Sequence, residues 1–224
     1  MSRAARLDEL AAVIAGVQRD HPTRVAIDGV DGSGKTTLAD ELVEPLRRTG
    51  REVIRASVDG FHNPRAVRYA RGRDSPEGYF LDSFDCAAVR RELLEPLGPR
   101  GHRRYRAAVF DYRIDRSVDT PARSAPANAV LVFDGVFLQR PELESVWDLT
   151  VWVDVPFEIT VARAVARDAA RGGTDAAAVR SQYDRRYVPG QRLYMSQCRP
   201  HERADVVFGN ANLERPDMQL RVRR

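Results

Sequence analysis

The chain predicts an α/β domain, with a mainly parallel sheet flanked by helices and organised around a phosphate-binding loop. Three observations carry this. Short apolar runs alternate with helical patterns, the arrangement that buries parallel strands under helices. Gly29-Val30-Asp31-Gly32-Ser33-Gly34-Lys35-Thr36 fits the pattern Gly, any four residues, Gly-Lys-Ser/Thr, between an apolar strand and a helix start. Acids follow the other apolar runs, where open α/β sheets gather their ligands.

In chain order, Leu7, Leu10, Ile14 and Val17 recur at helical spacing and predict a helix over 4–19, ended by His21-Pro22. The first strand is 24–28. A helix follows from 35 to about 48, which Pro45 should kink or shorten, and Gly50 closes it. The second strand, 52–58, ends at Asp59. Residues 60–84 have no clear period and read as a functional loop. A helix is expected over 85–97, irregular strands or a hairpin over 103–118, and a polar loop over 121–128. The third strand, 129–133, precedes Asp134-Gly135, and the fourth, 149–153, precedes Asp154. A helix over 157–171 carries Arg163, Arg167 and Arg171. Gly172-Gly173 should break it, and Thr174-Asp175 should cap a helix near 175–186. Another helical stretch covers 190–198. The fifth strand, 204–208, ends at Gly209-Asn210, and 221–224 reads as a loose tail.

The bulk properties fit one domain over residues 1–224. An apolar fraction of 43% suffices for a core, and a net charge of +4 with pI ≈ 9.4 suits an anionic ligand. Basic residues are scattered, and no aromatic-basic strand motif for RNA occurs, so no nucleic-acid partner is expected. Cys86 and Cys198 form no Cys-x-x-Cys pair and read as reduced thiols. No long apolar run or signal-peptide core is present. A cytoplasmic protein without a membrane partner is expected, and a homo-oligomer is compatible with the sequence.

The chemistry starts at Lys35, the only lysine among 36 Lys plus Arg. A slim, flexible ammonium suits the outer phosphates of a triphosphate better than a planar guanidinium. Gly29, Asp31, Gly32, Ser33, Gly34, Lys35, Thr36 and Thr37 are the candidate ATP contacts. Thr36 and Asp134 are the candidate Mg²⁺ holders. Asp59 is the candidate general base for an acceptor hydroxyl, whereas Asp154 reads first as a turn cap. Arg163, Arg167 and Arg171 share a helical face and could close over the transferring phosphate, or could pair with Asp168 and Asp175. Phe61, His62, Tyr69, Tyr79 and Phe80 could frame a ring-bearing acceptor, or could simply pin a loop. His21, His102 and His201 are isolated and receive no metal role.

Taken together, Gly29 to Thr36, Asp59-Gly60-Phe61-His62, Phe133-Asp134-Gly135, Arg163 to Arg171 and Ala204-Asp205-Val206 resemble the uridine kinase / phosphoribulokinase group of P-loop kinases, which includes bacterial pantothenate kinase. The resemblance runs from the loop to about residue 210. It implies a P-loop NTPase fold with a five-stranded parallel sheet in the order 2-3-1-4-5. It also implies a lid (about 157–175) and acceptor-binding insertions (about 60–84 and 100–118). The catalytic base then falls on Asp59, the lid arginines on Arg163 and Arg167, and the acid after the third strand, commonly Glu, on Asp134. Val109-Phe110-Asp111-Tyr112 is similar to uridine kinases and places Tyr112 at the acceptor. The nucleobase-reading His that follows there is replaced by Arg113, Ile114 and Asp115, while Gly72 to Tyr79 is similar to the pantothenate-kinase side. The implied activity is ATP·Mg-dependent phosphorylation of a small-molecule hydroxyl, with a nucleoside first and a pantothenate- or sugar-type acceptor as alternatives. A nucleotide-hydrolysing switch and a nucleic-acid ATPase are the readings from other classes. A switch has no use for the long 60–84 segment.

Overall fold

The computed structural model describes residues 1–172 and 175–221, with the side chain of Arg171 excluded. The expected break at Gly173, the Thr174 cap, the Arg171 side chain and the tail 222–224 therefore lie outside the described residues. Six strands form the main sheet: β1 (Thr23–Asp28), β2 (Val53–Ser57), β3 (Val130–Gly135), β4 (Leu149–Asp154), β5 (Val206–Gly209) and β6 (Asp217–Leu220). Their order is β2-β3-β1-β4-β5-β6. The first five are parallel neighbours in the order expected. The sixth corrects the five-stranded expectation: β6 pairs antiparallel with β5 and covers its open edge. Its pattern, Asp217-Met218-Gln219-Leu220, is too short and polar to announce a strand.

Alternation along the strands builds two cores, one on each face. Val25, Ile27, Val130, Val132 and Val151 face the helices Arg3–Gly16 and Lys35–Glu41, packing against Leu10, Ile14, Leu38 and Leu42. Ala26, Leu131, Phe133 and Trp152 face the other way, toward Phe61, Phe80, Phe137 and Tyr194. Both faces are apolar because both are covered.

Several elements differ from expectation for identifiable reasons. The helix after the loop is split into Lys35–Glu41 and Val43–Arg47, since Pro45 has no N–H for the Glu41 carbonyl. Residues 60–84 are not an irregular loop: they hold a helical turn, Arg65–Arg68, and a helix, Pro76–Asp82. The Ser75 hydroxyl accepts from the Gly78 amide at 3.0 Å, with Pro76 in the first turn, a start signal readable in Ser75-Pro76. The 85–97 helix is a short turn, Cys86–Val89, capped by Asp85 and followed by π-helical Arg90–Leu94. The hairpin within 103–118 pairs Phe110–Asp111 with Arg116–Ser117. The 121–128 segment adds a two-residue ladder, Arg123–Ser124 on Arg104–Tyr105. Helix Ala176–Gln182, π-helical Tyr183–Tyr187 and helix Val188–Cys198 run on without the expected interruption. No helix among the described residues is long and apolar enough to cross a membrane.

Helices Pro76–Asp82 and Val188–Cys198 pack closely at Gly190. A Cβ there would stand 2.8 Å from both the Pro76 carbonyl oxygen and Tyr79 Cδ1. Gly190→Ala is therefore expected to destabilise the fold by about 1–3 kcal/mol despite alanine's better helix propensity. Urea denaturation with an unchanged m-value measures this.

Candidate active site

Strand register assembles the site. Ser57 at the end of β2 is paired with Asp134 of β3, and Asp134 is paired with Ile27 of β1, two residues before the phosphate loop. The Ser57 hydroxyl donates to the Asp134 carbonyl at 3.2 Å and accepts from the Asp59 amide at 3.3 Å. Asp59 thus leaves β2 in a 3₁₀ turn, Val58–Phe61, beside Asp134.

The loop has the shape of an anion cradle. Gly32 and Gly34 have φ of 79° and 87°, left-handed values that suit glycine. Space is equally restrictive. A Cβ on Gly32 would lie 2.1 Å from the Thr160 carbonyl oxygen, and one on Gly34 would lie 2.6 Å from Asn210 Nδ2. Gly34 caps helix Lys35–Glu41, whose first amides have no intrahelical partner and point toward the cradle. Asn210 donates from Nδ2 to the Ser33 carbonyl at 2.7 Å. Arg3 in turn donates to Asn210 Oδ1 at 2.9 Å. Asn210 is fully buried and braces the loop from the end of β5. It follows a strand-ending Gly, but nothing local marks it as functional.

Lys35 Nζ lies 3.6 Å from Asp31 Oδ1 and donates to the Val30 carbonyl at 3.3 Å. Thr36 donates its hydroxyl to Asp134 Oδ2 at 2.6 Å, while Arg55 donates to Asp134 Oδ1 at 3.0 Å. Asp134 is buried, so Arg55 supplies the charge partner that burial demands. The sequence reading does not single out Arg55, because an arginine on a strand usually reads as solvent-facing. These groups fit Mg²⁺ and a triphosphate: a hydroxyl backed by a carboxylate, an ammonium, and a glycine cradle that admits no side chain.

Asp59 lies within electrostatic reach of His62, Lys35, Asp134 and Asp31. Loss of water around its carboxyl raises its pKa, helped by Asp134 and Asp31 and opposed by His62 and Lys35. Desolvation lowers the pKa of His62, which counters the pull of Asp59. His62 stacks on Phe84 and Tyr112, both at 4.6 Å between ring centroids. Arg113 lies 5.2 Å from the Tyr112 ring centroid. Asp115 is tied to the Arg65 amide at 2.9 Å and to Arg68 at 3.2 Å.

Other expected residues take different places. Phe61 has no exposed surface and packs on Phe133; it is core, not acceptor wall. Tyr79 is buried, and its hydroxyl donates to Asp31 Oδ2 at 2.7 Å, so it holds the loop and does not face a ligand. Phe80 is likewise buried, against Phe137. Tyr69 carries the Arg186 guanidinium over its ring. On the helix expected to form a lid, Phe157–Gly172, Arg163 donates to the Asn210 and Ala211 carbonyls at 3.2 and 2.9 Å. Arg167 pairs with Asp168 at 2.7 Å and donates to the Tyr183 hydroxyl at 3.3 Å. Asp168 holds the Arg167 guanidinium well above its ordinary range. Both arginines are engaged by protein, and for Arg167 the pairing alternative holds. Asp154 accepts from Trp152 Nε1 at 3.1 Å, in keeping with a local role.

Two partners of the loop escape sequence reading. Gln191 accepts from the Asp31 amide at 3.2 Å and donates to Asp31 Oδ2 at 3.0 Å. Asp28, fully buried, accepts from the Gly29 amide at 2.9 Å, from Gln139 at 3.1 Å and from the Tyr194 hydroxyl. Burial pushes its carboxyl up against these three donors.

A sequence profile of the Phosphoribulokinase / Uridine kinase family matches residues 25–214. The chain belongs to this family. As a member it is an ATP-dependent small-molecule kinase, and use of ATP and Mg²⁺ is general to the family. Among curated proteins it is similar to a uridine kinase of Leuconostoc citreum, 26% identical over 203 residues, covering 88% of this chain and 92% of the relative. A solved structure from Bacillus stearothermophilus, "a Possible Uridine Kinase", superposes with TM-score 0.72 at 24% identity over 91% of this chain and 97% of that one. D-glycerate 3-kinase from Cryptococcus neoformans superposes at 0.65 with 14% identity, covering 96% and 99%. These two likenesses show the fold.

Gly32→Ala tests the cradle directly. The added methyl meets the backbone of helix Phe157–Gly172 at Thr160 and strains a left-handed residue, so it is expected to cost about 1–3 kcal/mol of stability and to abolish ATP binding. Calorimetric titration together with thermal denaturation reads both effects.

Proposed function

We propose that this kinase transfers the γ-phosphoryl group of ATP to a hydroxyl of a small metabolite, a nucleoside of the uridine type being the first acceptor class. The observation that carries the reading is the pairing of Ser57 with Asp134, which sets Asp59 within reach of both Lys35 and the Thr36–Asp134 pair. The similarity to the Leuconostoc citreum uridine kinase supports the nucleoside. The second reading, a pantothenate- or sugar-type acceptor, is favoured by the replacement beyond Tyr112, where Arg113 and the Arg68–Asp115 pair occupy the turn. The whole chain then works as one kinase domain. Residues 60–84 and 100–118 serve the acceptor, and the lid helix covers the phosphates.

In this reading Asp59 accepts the hydroxyl proton as the acceptor oxygen bonds to the γ-phosphorus and the bond to the ADP oxygen breaks. Lys35 and the loop amides hold the triphosphate and offset charge on the leaving group. Mg²⁺, when bound, would neutralise charge on the transferring oxygens. Thr36 would hold it, with Asp134 oriented behind by Arg55. His62 and Tyr112 form the aromatic wall next to Asp59, Arg163 keeps the lid seated on the β5 end, and Arg167 is held by Asp168 and Tyr183.

Asp59→Asn is expected to lower kcat by at least about 10²-fold while ATP affinity stays within a few-fold of wild type. ATP consumption against a panel of nucleosides, pantothenate and sugar alcohols measures kcat and identifies the acceptor; an unimpaired rate removes Asp59 from the mechanism. The raised Asp59 pKa predicts a pH profile as well. The base form is lost as pH falls through that value, so kcat/KM declines on the acid side, beginning above the ordinary aspartate range. Lys35→Ala is expected to weaken ATP binding by about tenfold or more, and unchanged calorimetric affinity would contradict its role.

A further inference from the structure

An aspartate is an unexpected residue in an anion cradle. Asp31 lies in the middle of the phosphate loop, its carboxylate directed at the loop's own ammonium. It repels a triphosphate and competes with it for Lys35. What it holds is informative. Asp31 Oδ2 accepts from the Tyr79 hydroxyl at 2.7 Å and from Gln191 Nε2 at 3.0 Å, and its amide donates to Gln191 Oε1 at 3.2 Å. Tyr79 is in helix Pro76–Asp82 and Gln191 is in helix Val188–Cys198. Both side chains are buried, so each needs the acceptor that Asp31 provides.

The tie reaches the acceptor side. Helix Pro76–Asp82 leads directly into Phe84, which pairs with His62 across an antiparallel bridge and stacks on its ring. His62 Nδ1 is 3.1 Å from the Asp59 carbonyl oxygen. A continuous set of contacts thus joins the phosphate loop to the general base, running Asp31, Tyr79, Phe137, Phe84, His62, Asp59. The charge of Asp31 is also felt at Asp59, His62, Tyr183 and Arg167.

We propose that Asp31 is a positioning residue that ties the phosphate loop to the acceptor-side helices and lowers ATP affinity in exchange for that coupling. The proposal rests on the ATP-binding reading of the loop. When a triphosphate takes Lys35, Asp31 loses a competing cation and its bonds to Tyr79 and Gln191 strengthen. Triphosphate binding then tightens the helix that carries Phe84.

Two variants of the full chain separate charge from tie. Asp31→Asn keeps an acceptor oxygen for Tyr79 and Gln191 but removes the negative charge. Calorimetric ATP affinity is expected to rise about tenfold, whereas a residue with a purely structural role would give weaker or equal binding. Tyr79→Phe removes only the hydroxyl. In wild type, saturating ATP is expected to raise amide exchange protection across 76–82 and 188–198. In Tyr79→Phe the rise over 76–82 is expected to vanish, with ATP affinity lowered by about twofold or more as the reciprocal of that strengthening. Equal or weaker ATP binding by a folded Asp31→Asn variant, or the same protection rise in Tyr79→Phe, overturns the proposal. Wild-type protein that does not bind ATP at all overturns the kinase reading, and this one with it.

Discussion

One ammonium group stands among three carboxylates. Lys35 lies 3.6 Å from Asp31 and within reach of Asp59, while Asp134 is held by Thr36 and Arg55 on the far side. Parallel strands necessarily bring their carboxyl ends together, and this chain places Asp59 just after β2 and Asp134 near the end of β3 at that rim. Like charges gathered in a partly dry cleft need an organised set of partners. Each acid here has its own: Tyr79 and Gln191 for Asp31, Arg55 for Asp134, and His62 with Lys35 for Asp59. The rest of the cleft can be understood as the means of keeping those partners in place.

The bracing elements come from far along the chain. Asn210 closes one side of the loop from β5, and Arg163 fixes helix Phe157–Gly172 to the same strand end. Gln191 closes the opposite side from a helix 160 residues away in sequence. Beneath the loop, Asp28 is a buried acid that accepts hydrogen bonds from Gly29, Gln139 and Tyr194. Burial raises its pKa above the ordinary aspartate value. Its contribution to stability is therefore greatest at low pH and is lost as pH rises through the folded value.

The parallel strands and the strand-end acids were legible because both depend on local patterns: apolar runs, a glycine-rich loop, and an acid after an apolar run; the order of the strands came only with the family resemblance. Phe61 and Tyr79 illustrate what is not local. Both are aromatic residues in a segment without periodicity, and only the packed structure shows that one fills the core against Phe133 and the other holds Asp31. Helix Pro76–Asp82 has a start signal in Ser75-Pro76, but the glycines and arginines around it make the segment read as a loop. Strand β6 and the partners Gln191, Asn210 and Arg55 leave no periodic trace, since their roles exist only through hydrogen bonds between distant segments. Arg167 shows the opposite limit: helical spacing gives its face, whereas the adjacent Asp168 decides where its charge goes.

The surface of this protein is rich in guanidinium groups, and its one side-chain amine is sequestered at the phosphate cradle. Acylating and carbamylating reagents that spare arginine therefore have a single side-chain amine to find. Enzymes that acetylate or conjugate lysine meet no exposed target, and a lysine-directed protease has its only internal cleavage point inside the loop. A label at that amine would report occupancy of the cradle without engineering a new reactive residue.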